Sequence, residues 1–362
     1  MARRQMNDSG SARCLQPGEE ERLTALFEAV YGPDWQARTS IDRYLGKDGW
    51  PASVSVVESD GILVGAQPTY DVPCLVGGTE TTLSVLIDVV THPAYRRRGV
   101  FSEVLDHAAA ECAARGSALA LTTPNEAAHR VFAGKSDWLL LTVPECRVRF
   151  LRPDAILVQC YRFPRSIAGV LGASFLAVVG GRRSRSGPGI TEMQGAPPGD
   201  EFDALWRRCA PSIRVAQRRD GRWFRWRFGC PGPEARYHLL ADRKEGALAG
   251  YAVTTLRTVA GVSVTLLVDS FCPREAESTR AELADAVTEW SQSAGAAAIV
   301  TYTVPGDPWS KTLARRAFWR LPGFLASRPY RVYARIPDRT ASRHVLIEPG
   351  AWHMTLADSD LA

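Results

Sequence analysis

The sequence predicts a mixed α+β chain of two domains, each a mostly antiparallel mixed sheet flanked by helices. Three observations predict it. The chain has 362 residues, which is long for one hydrophobic core and comfortable for two. Short apolar runs are punctuated by Asp60-Gly61 and Gly77-Gly78, which are hairpin signals, and then give way to one strand–loop–helix unit. The pattern partly recurs at an offset of about 180 residues.

Composition narrows the function classes. The apolar, aromatic and charged fractions are those of an ordinary soluble globular protein. The formal charge of +5, from 44 Lys+Arg against 39 Asp+Glu, fits an anionic ligand and does not call for nucleic acid. Eight scattered cysteines without a CxxC pair argue against a zinc ribbon and a disulfide scaffold. Buried free thiols and no metal are expected. The polar N-terminus lacks the apolar core of a signal peptide, and the strongest apolar run, residues 167–179, is short for a bilayer span. A cytoplasmic protein without stable membrane insertion is expected.

In order, residues 1–16 are polar and basic and are expected to be disordered. A helix over 17–31 places Leu23, Leu26, Phe27 and Val30 on one face, and a short helical piece spans 40–45. Trp35, Tyr44 and Trp50 favour core packing over a substrate pocket. Strands follow at 54–57, 62–66, 70–76 and 82–90. A helix from Val100 carries Val104, Leu105, Ala108 and Cys112 at helical spacing, and Gly116 ends it. A buried strand at 118–122, a short helix at 126–132 and strands within 139–150 complete the first domain.

The chain is organised around Thr91-His92-Pro93-Ala94-Tyr95-Arg96-Arg97-Arg98-Gly99-Val100-Phe101. A strand, a basic loop ending in Gly and a helix N-terminus make an anion site. First-turn N–H groups lack intrahelical partners, and the helix dipole favours negative charge there. Gly99 lets backbone approach a ligand, and three arginines add phosphate donors.

This order of elements, with the loop Arg96-Arg97-Arg98-Gly99-Val100-Phe101, resembles the GNAT superfamily of acyl-CoA-dependent N-acyltransferases and its Q/R-x-x-G-x-G/A signature. Thr91-His92-Pro93 matches the preceding Val-x-Pro element, and Asn125, Ala128, Phe132 and Trp138 match the closing one. The resemblance covers residues 17–150. It implies acetyl-CoA or another acyl-CoA as co-substrate, with the pyrophosphate held by Arg96, Arg97, Arg98, Gly99, Val100 and Phe101. It further implies a carbonyl-polarising N–H near Val89, Val90 and Thr91, and a binding role for Asn125. Three departures stand out: Phe101 replaces the last small residue, Asp137 replaces a Gly, and Phe132 stands where many members carry a proton-donating Tyr.

Residues 154–195 are expected to form an apolar helix packed between domains, then an Arg/Ser/Gly linker. The second copy spans 196–340. There Asp269 and Pro273 match Asp88 and Pro93, the helix 279–290 ends near Gly295, and Gly323-Phe324 matches Asp137-Trp138. Its loop, Arg274-Glu275-Ala276-Glu277-Ser278, has no Gly and two acids, which repel a pyrophosphate. The catalytic domain is thus placed at 17–153 and a degenerate copy at 196–340. The tail 341–362 either folds back so that Asp358 meets an amine or is solvated.

Acyl transfer to an amine needs a base. Asp88, an acid interrupting an apolar strand, is the leading candidate, with a hydrogen-bonded structural acid as the alternative. Tyr302 and Asp358 are further candidates from the second copy and tail. The expected activity is acetyl transfer to a primary amine on a small molecule, such as an amino sugar, amino acid or natural-product intermediate, in a ternary complex. A Fem-like aminoacyl transferase and a non-catalytic acyl-CoA-binding scaffold are the alternatives. No nucleic-acid partner is expected, and oligomerisation is left open.

Overall fold

A computed structural model describes residues 11–33, 37–46, 49–179, 187–193, 199–229, 237–322, 330–338, 340, 343–348 and 350–359. Trp35, the linker arginines 182, 183 and 185, Gly323, Phe324 and Asp360 lie outside the described residues. The first half runs β1 (Arg13–Cys14), α1 (Glu20–Tyr31), α2 (Ala37–Tyr44), β2 (Ala52–Ser59), β3 (Ile62–Val76), β4 (Thr79–Leu86), β5 (Val90–Thr91), α3 (Val100–Ala114), β6 (Leu119–Thr122), α4 (Glu126–Ala133) and β7 (Leu139–Thr142). Next come β8 (Glu145–Phe150), α5 (Pro153–Tyr161), α6 (Arg165–Val179), β9 (Ile190–Met193), α7 (Gly199–Cys209), β10 (Val215–Gln217) and α8 (Gly221–Phe228). The chain continues through β11 (Tyr237–Lys244), β12 (Ala247–Val259), β13 (Val262–Phe271), α9 (Glu277–Ser293), β14 (Ala298–Thr303), α10 (Pro308–Ala314), β15 (Trp319–Arg320), β16 (Val332–Arg335) and α11 (Arg343–Leu346).

Two compact units result, each a mixed and mostly antiparallel sheet with helices. The first comprises Met1–Cys74, Glu80–Leu141 and Val332–Arg343; the second comprises Leu75–Thr79, Thr142–Arg331 and His344–Ala362. The first sheet has the order β1-β2-β3-β4-β6-β16-β7, with β5 pairing β3; the second has the order β15-β8-β14-β13-β12-β11-β9. The units are not the contiguous segments 17–153 and 196–340. Strand β8, from the first half of the chain, pairs antiparallel with β14, Val148 opposite Val300. Strand β16, from the second half, pairs antiparallel with β6, Tyr333 opposite Thr122. Local pattern marks a segment as a strand but carries no record of which sheet receives it, because that is a long-range pairing.

Other differences have local causes. Residues 11–16 do not fray: β1 pairs with β2, and Arg13 binds Glu19 at 2.7 Å and Glu58 at 2.7 Å. The Arg13 guanidinium holds the Glu19 carboxyl down at about 2. Strand β3 is one continuous run where two were expected, because β2 pairs along it from Ile62 to Tyr70. Helix α6 forms, but Ile167, Val170, Leu171, Phe175 and Val178 are exposed, so it is not an interior helix. Among the described residues, no helix is long and apolar enough to cross a membrane.

The core of the first unit is built where α3 crosses the sheet. Val100, Val104, Leu105, Ala108, Ala109 and Cys112 are its buried face, and each large one contributes about 1.5–3 kcal/mol by burial. The crossing is close at Gly65 of β3, where a Cβ would stand 2.5 Å from the Val100 side chain. The second unit repeats the device: a Cβ on Gly250 of β12 would stand 2.7 Å from Cys272 and 2.8 Å from Thr279.

Candidate active site

Strands β4 and β6 run parallel, ending with Leu86 opposite Thr122. The loops after them therefore leave the sheet at one edge. Beyond Leu86 the ladder breaks over Ile87–Val89, and the chain resumes as β5, which pairs with β3, Val90 opposite Ala66 and Thr91 opposite Gly65. The chain thus parts from β6 at the break. Asp88, expected within a strand, sits at the break itself with φ 46°, a left-handed backbone that Asp tolerates better than most residues.

Asp88 has a partner that the sequence reading assigned to core packing. The Tyr44 hydroxyl of α2 donates to Asp88 Oδ2 at 2.5 Å, and the Tyr44 ring packs on Phe27 at 5.3 Å. Burial pushes the Asp88 carboxyl up, against the opposing pull of the Tyr44 hydrogen bond and the Arg43 charge. Burial beside Asp88 also pushes the Tyr44 phenol up, so it remains a donor.

The basic loop follows. His92 Nδ1 accepts from the Ala94 N–H at 3.3 Å, capping a single 3-10 turn over Pro93–Tyr95. Arg98 lies over the Tyr95 ring at 4.8 Å, and Arg96, Arg97, Arg98 and Gly99 are all exposed. Gly99 has φ 90° and occupies the N-cap position of α3 without a side-chain cap. A Cβ built there meets nothing within 4 Å, so the space beside the start of α3 is open, where first-turn N–H groups lack intrahelical partners. Arg97 is also left-handed, at φ 63°. On β5, Thr91 Oγ1 is buried and lacks a hydrogen-bond partner. The open Gly99 cap and the orphaned Thr91 oxygen both fit an anionic, hydrogen-bonding ligand lying along this edge.

The second loop supplies Asn125, whose Oδ1 accepts from the Ala128 N–H at 3.0 Å as the N-cap of α4. Phe101 of α3 meets Phe132 of α4 edge-on at 6.0 Å. Phe132 is buried, packed edge-on against Trp138 at 4.9 Å. Tyr333 of β16 lies 5.5 Å from the Phe132 ring, and its hydroxyl is 3.0 Å from His129 Nδ1. The sequence reading missed this pair, because Tyr333 and His129 are brought together only when β16 joins β6.

Asp88, Val89, Val90, Thr91, the loop Arg96 to Phe101 and Asn125 thus all belong to one edge of the first unit. Tyr302 and Asp358 do not: both belong to the second unit. Tyr302 packs on Tyr330 at 5.3 Å, and burial pushes its phenol up. Asp358 is buried against Arg219 at 2.5 Å and accepts from the Thr355 N–H at 2.7 Å. A buried carboxylate so paired is engaged within the second unit rather than presented to a ligand. The described tail residues 350–359 are held by the second unit, since Arg227 Nε donates to the Ala357 carbonyl at 2.9 Å and His353 N–H to the Val215 carbonyl at 2.8 Å.

Comparison with known proteins bears on the family and the fold. Residues 11–139 match the model of the family described as acetyltransferase (GNAT) domain. Among solved structures, the chain is similar to a GCN5-related N-acetyltransferase from Anabaena variabilis (TM-score 0.63, 10% identity, 90% of this chain and 72% of that one). It is also similar to a conserved protein of unknown function, a probable N-acyltransferase, from Enterococcus faecalis (TM-score 0.62, 13% identity, 90% and 71%). A third is the Saccharomyces cerevisiae N-myristoyltransferase with bound myristoyl-CoA (TM-score 0.55, 12% identity, 90% and 75%). At these identities the likeness is one of fold. A search of curated proteins finds no match.

Proposed function

From the premise that residues 11–139 are an acetyltransferase (GNAT) domain, an enzyme domain that transfers acyl groups, we propose that the chain is an acyl-CoA-dependent N-acyltransferase. Its donor is acetyl-CoA and its acceptor a primary amine on a small molecule, such as an amino sugar, amino acid or natural-product intermediate. Transfer is direct, within a ternary complex. One observation carries the reading: a left-handed, uncapped Gly99 after three arginines opens the N-terminus of a 15-residue helix on free space, next to a strand broken at Asp88.

The thioester supplies an activated acyl group; the chain's residues bind, orient and move protons around it. The N–H groups at the start of α3 and the guanidinium groups of Arg96, Arg97 and Arg98 hold the pyrophosphate. The Thr91 hydroxyl and the backbone N–H groups of Val89 and Val90 line the acyl end. An ammonium has no lone pair, so the acceptor must lose a proton, and Asp88 takes it. A carboxyl pushed up by burial is a stronger base than an exposed one, and the Tyr44 hydroxyl holds it in one orientation. The departing thiolate needs an acid. Phe132 cannot provide one, and the Tyr333 hydroxyl, partnered by His129 on a ring 5.5 Å from Phe132, is our candidate donor.

The buried Phe132 also favours a second reading, a non-catalytic acyl-CoA-binding scaffold. Free-thiol release from acetyl-CoA in the presence of an amine panel separates the two. The enzyme reading expects amine-dependent turnover that Asp88→Asn lowers about 100-fold while CoA affinity is little changed. Binding without turnover for any amine supports the scaffold instead. Gly99→Glu is expected to abolish CoA binding by calorimetry, and unchanged binding would remove the basis of both readings.

A further inference from the structure

The first unit brings together three groups that the proposed chemistry does not use. Cys14, His107 and Glu111 each offer a ligand atom, and these atoms lie within 4.8 Å of one another. Cys14 is on β1, held by pairing with Ser55 of β2. His107 and Glu111 are one helical turn apart on α3, so they share a face. Ser55 Oγ lies 2.9 Å from His107 Nδ1, the kind of outer contact that fixes the ring of a ligating imidazole.

We propose that Cys14, His107 and Glu111 form a three-ligand site for a divalent cation of the zinc class, with water as the fourth ligand, and that the ion ties β1 to α3. The donor set is one thiolate, one imidazole and one carboxylate, which suits this borderline-soft ion. Bond lengths of about 2.0–2.3 Å require the ligand atoms to draw in by roughly 1 Å, which side-chain rotation can supply. All three residues are partly exposed, so an ion and its water can enter. The thiolate and carboxylate together balance the charge of a divalent ion.

The neighbouring charges are accounted for. Arg115, one turn further along α3, is held by Asp71 at 2.9 and 3.1 Å. Glu103, one turn before His107, accepts the Ala12 N–H at 3.1 Å. Cysteine ligates a metal as the thiolate, so binding exchanges the thiol proton for a sulfur–metal bond and releases that proton to solvent. The ion would pin the N-terminal strand to the helix whose other end is the Gly99 cradle.

The test uses the full chain, stripped with chelator and titrated with cobalt(II). The expected result is one equivalent bound, with thiolate-to-metal absorption that zinc(II) then bleaches. Cys14→Ser is expected to lose that absorption, while Cys160→Ser, at an exposed cysteine elsewhere, keeps it. Glu111→Gln is expected to weaken binding at least tenfold. In the wild-type chain, zinc(II) should slow alkylation of Cys14 as mapped by mass spectrometry, a readout independent of how any variant folds. Absence of saturable cobalt binding, thiolate absorption that survives Cys14→Ser, or unchanged Cys14 alkylation would each overturn the site.

Discussion

Asp88 and Asp269 stand at matching points of two strand–loop–helix units, and their surroundings differ in kind. Asp88 lies where the ladder breaks, with one hydroxyl partner, Tyr44 at 2.5 Å. Asp269 lies within strand β13, beside a register shift in its pairing with β12, and is fully buried. It receives the Tyr251 hydroxyl at 2.9 Å, the Thr355 hydroxyl at 2.8 Å and Arg219 Nε at 3.3 Å. The helices that follow differ in the same sense. Helix α3 begins at a left-handed glycine that opens on free space. Helix α9 begins after Ala276, and Arg280 folds back to donate to the Pro273 and Arg274 carbonyls at 3.0 and 2.6 Å. One unit leaves a carboxylate and a helix terminus available to a ligand. The other engages its carboxylate internally and ties the loop before its helix with an arginine, so matching elements of one fold differ in what surrounds them.

The sharpest way to break this comparison is at Asp269. Asp269→Ala leaves the buried Arg219 short of one of its two carboxylate partners, and a loss of about 3–5 kcal/mol in urea unfolding is expected. A loss near zero would mean that the cluster is not the anchor of the second unit. Asp88→Asn should do the reverse: kcat/KM for amine acylation falls about 100-fold while the fold persists. Because burial raises the Asp88 carboxyl, its neutral form is the one the fold favours. That contribution is full below the unfolded carboxylate value and is lost as pH rises through the folded one. Asp88→Asn should therefore be no less stable than wild type at neutral pH. The acidic limb of the wild-type kcat/KM profile should lie above the ordinary carboxylate range.

A smaller effect is expected at the helix crossing. Gly65→Val forces side chain into the space held by Val100 and should cost about 2 kcal/mol by thermal unfolding, with Gly250→Val behaving alike in the second unit. The smallest is at the N-terminal strand. Arg13 lowers the Glu19 carboxyl to about 2, so this pairing stabilises above the unfolded carboxylate range and is lost as pH falls toward that value. The protection factors of the amides at residues 13–14, corrected for intrinsic exchange, should fall over that acidic window, and Glu19→Gln should remove this pH dependence.

Much of this was legible in the residues themselves. Asp60-Gly61 and Gly77-Gly78 adopt positive φ at hairpin turns, because their intrinsic preference decides the local backbone. Gly99 after three arginines announced an anion cradle for the same reason, since both the left-handed cap and the charge are properties of the local chain. Hydrophobic spacing placed α3 and its buried face. Tertiary structure decided what depends on partners distant in sequence. The exchange of β8 and β16 between sheets, the Tyr44 hydroxyl on Asp88, the Tyr333–His129 pair and the burial of Asp358 against Arg219 each join residues that no periodicity links. The cluster of Cys14, His107 and Glu111 escaped the cysteine spacing rules because strand pairing and a helical turn assemble it. Local sequence sets which backbone shapes are cheap, whereas the environment of a titratable side chain is set by whatever the folded chain packs against it.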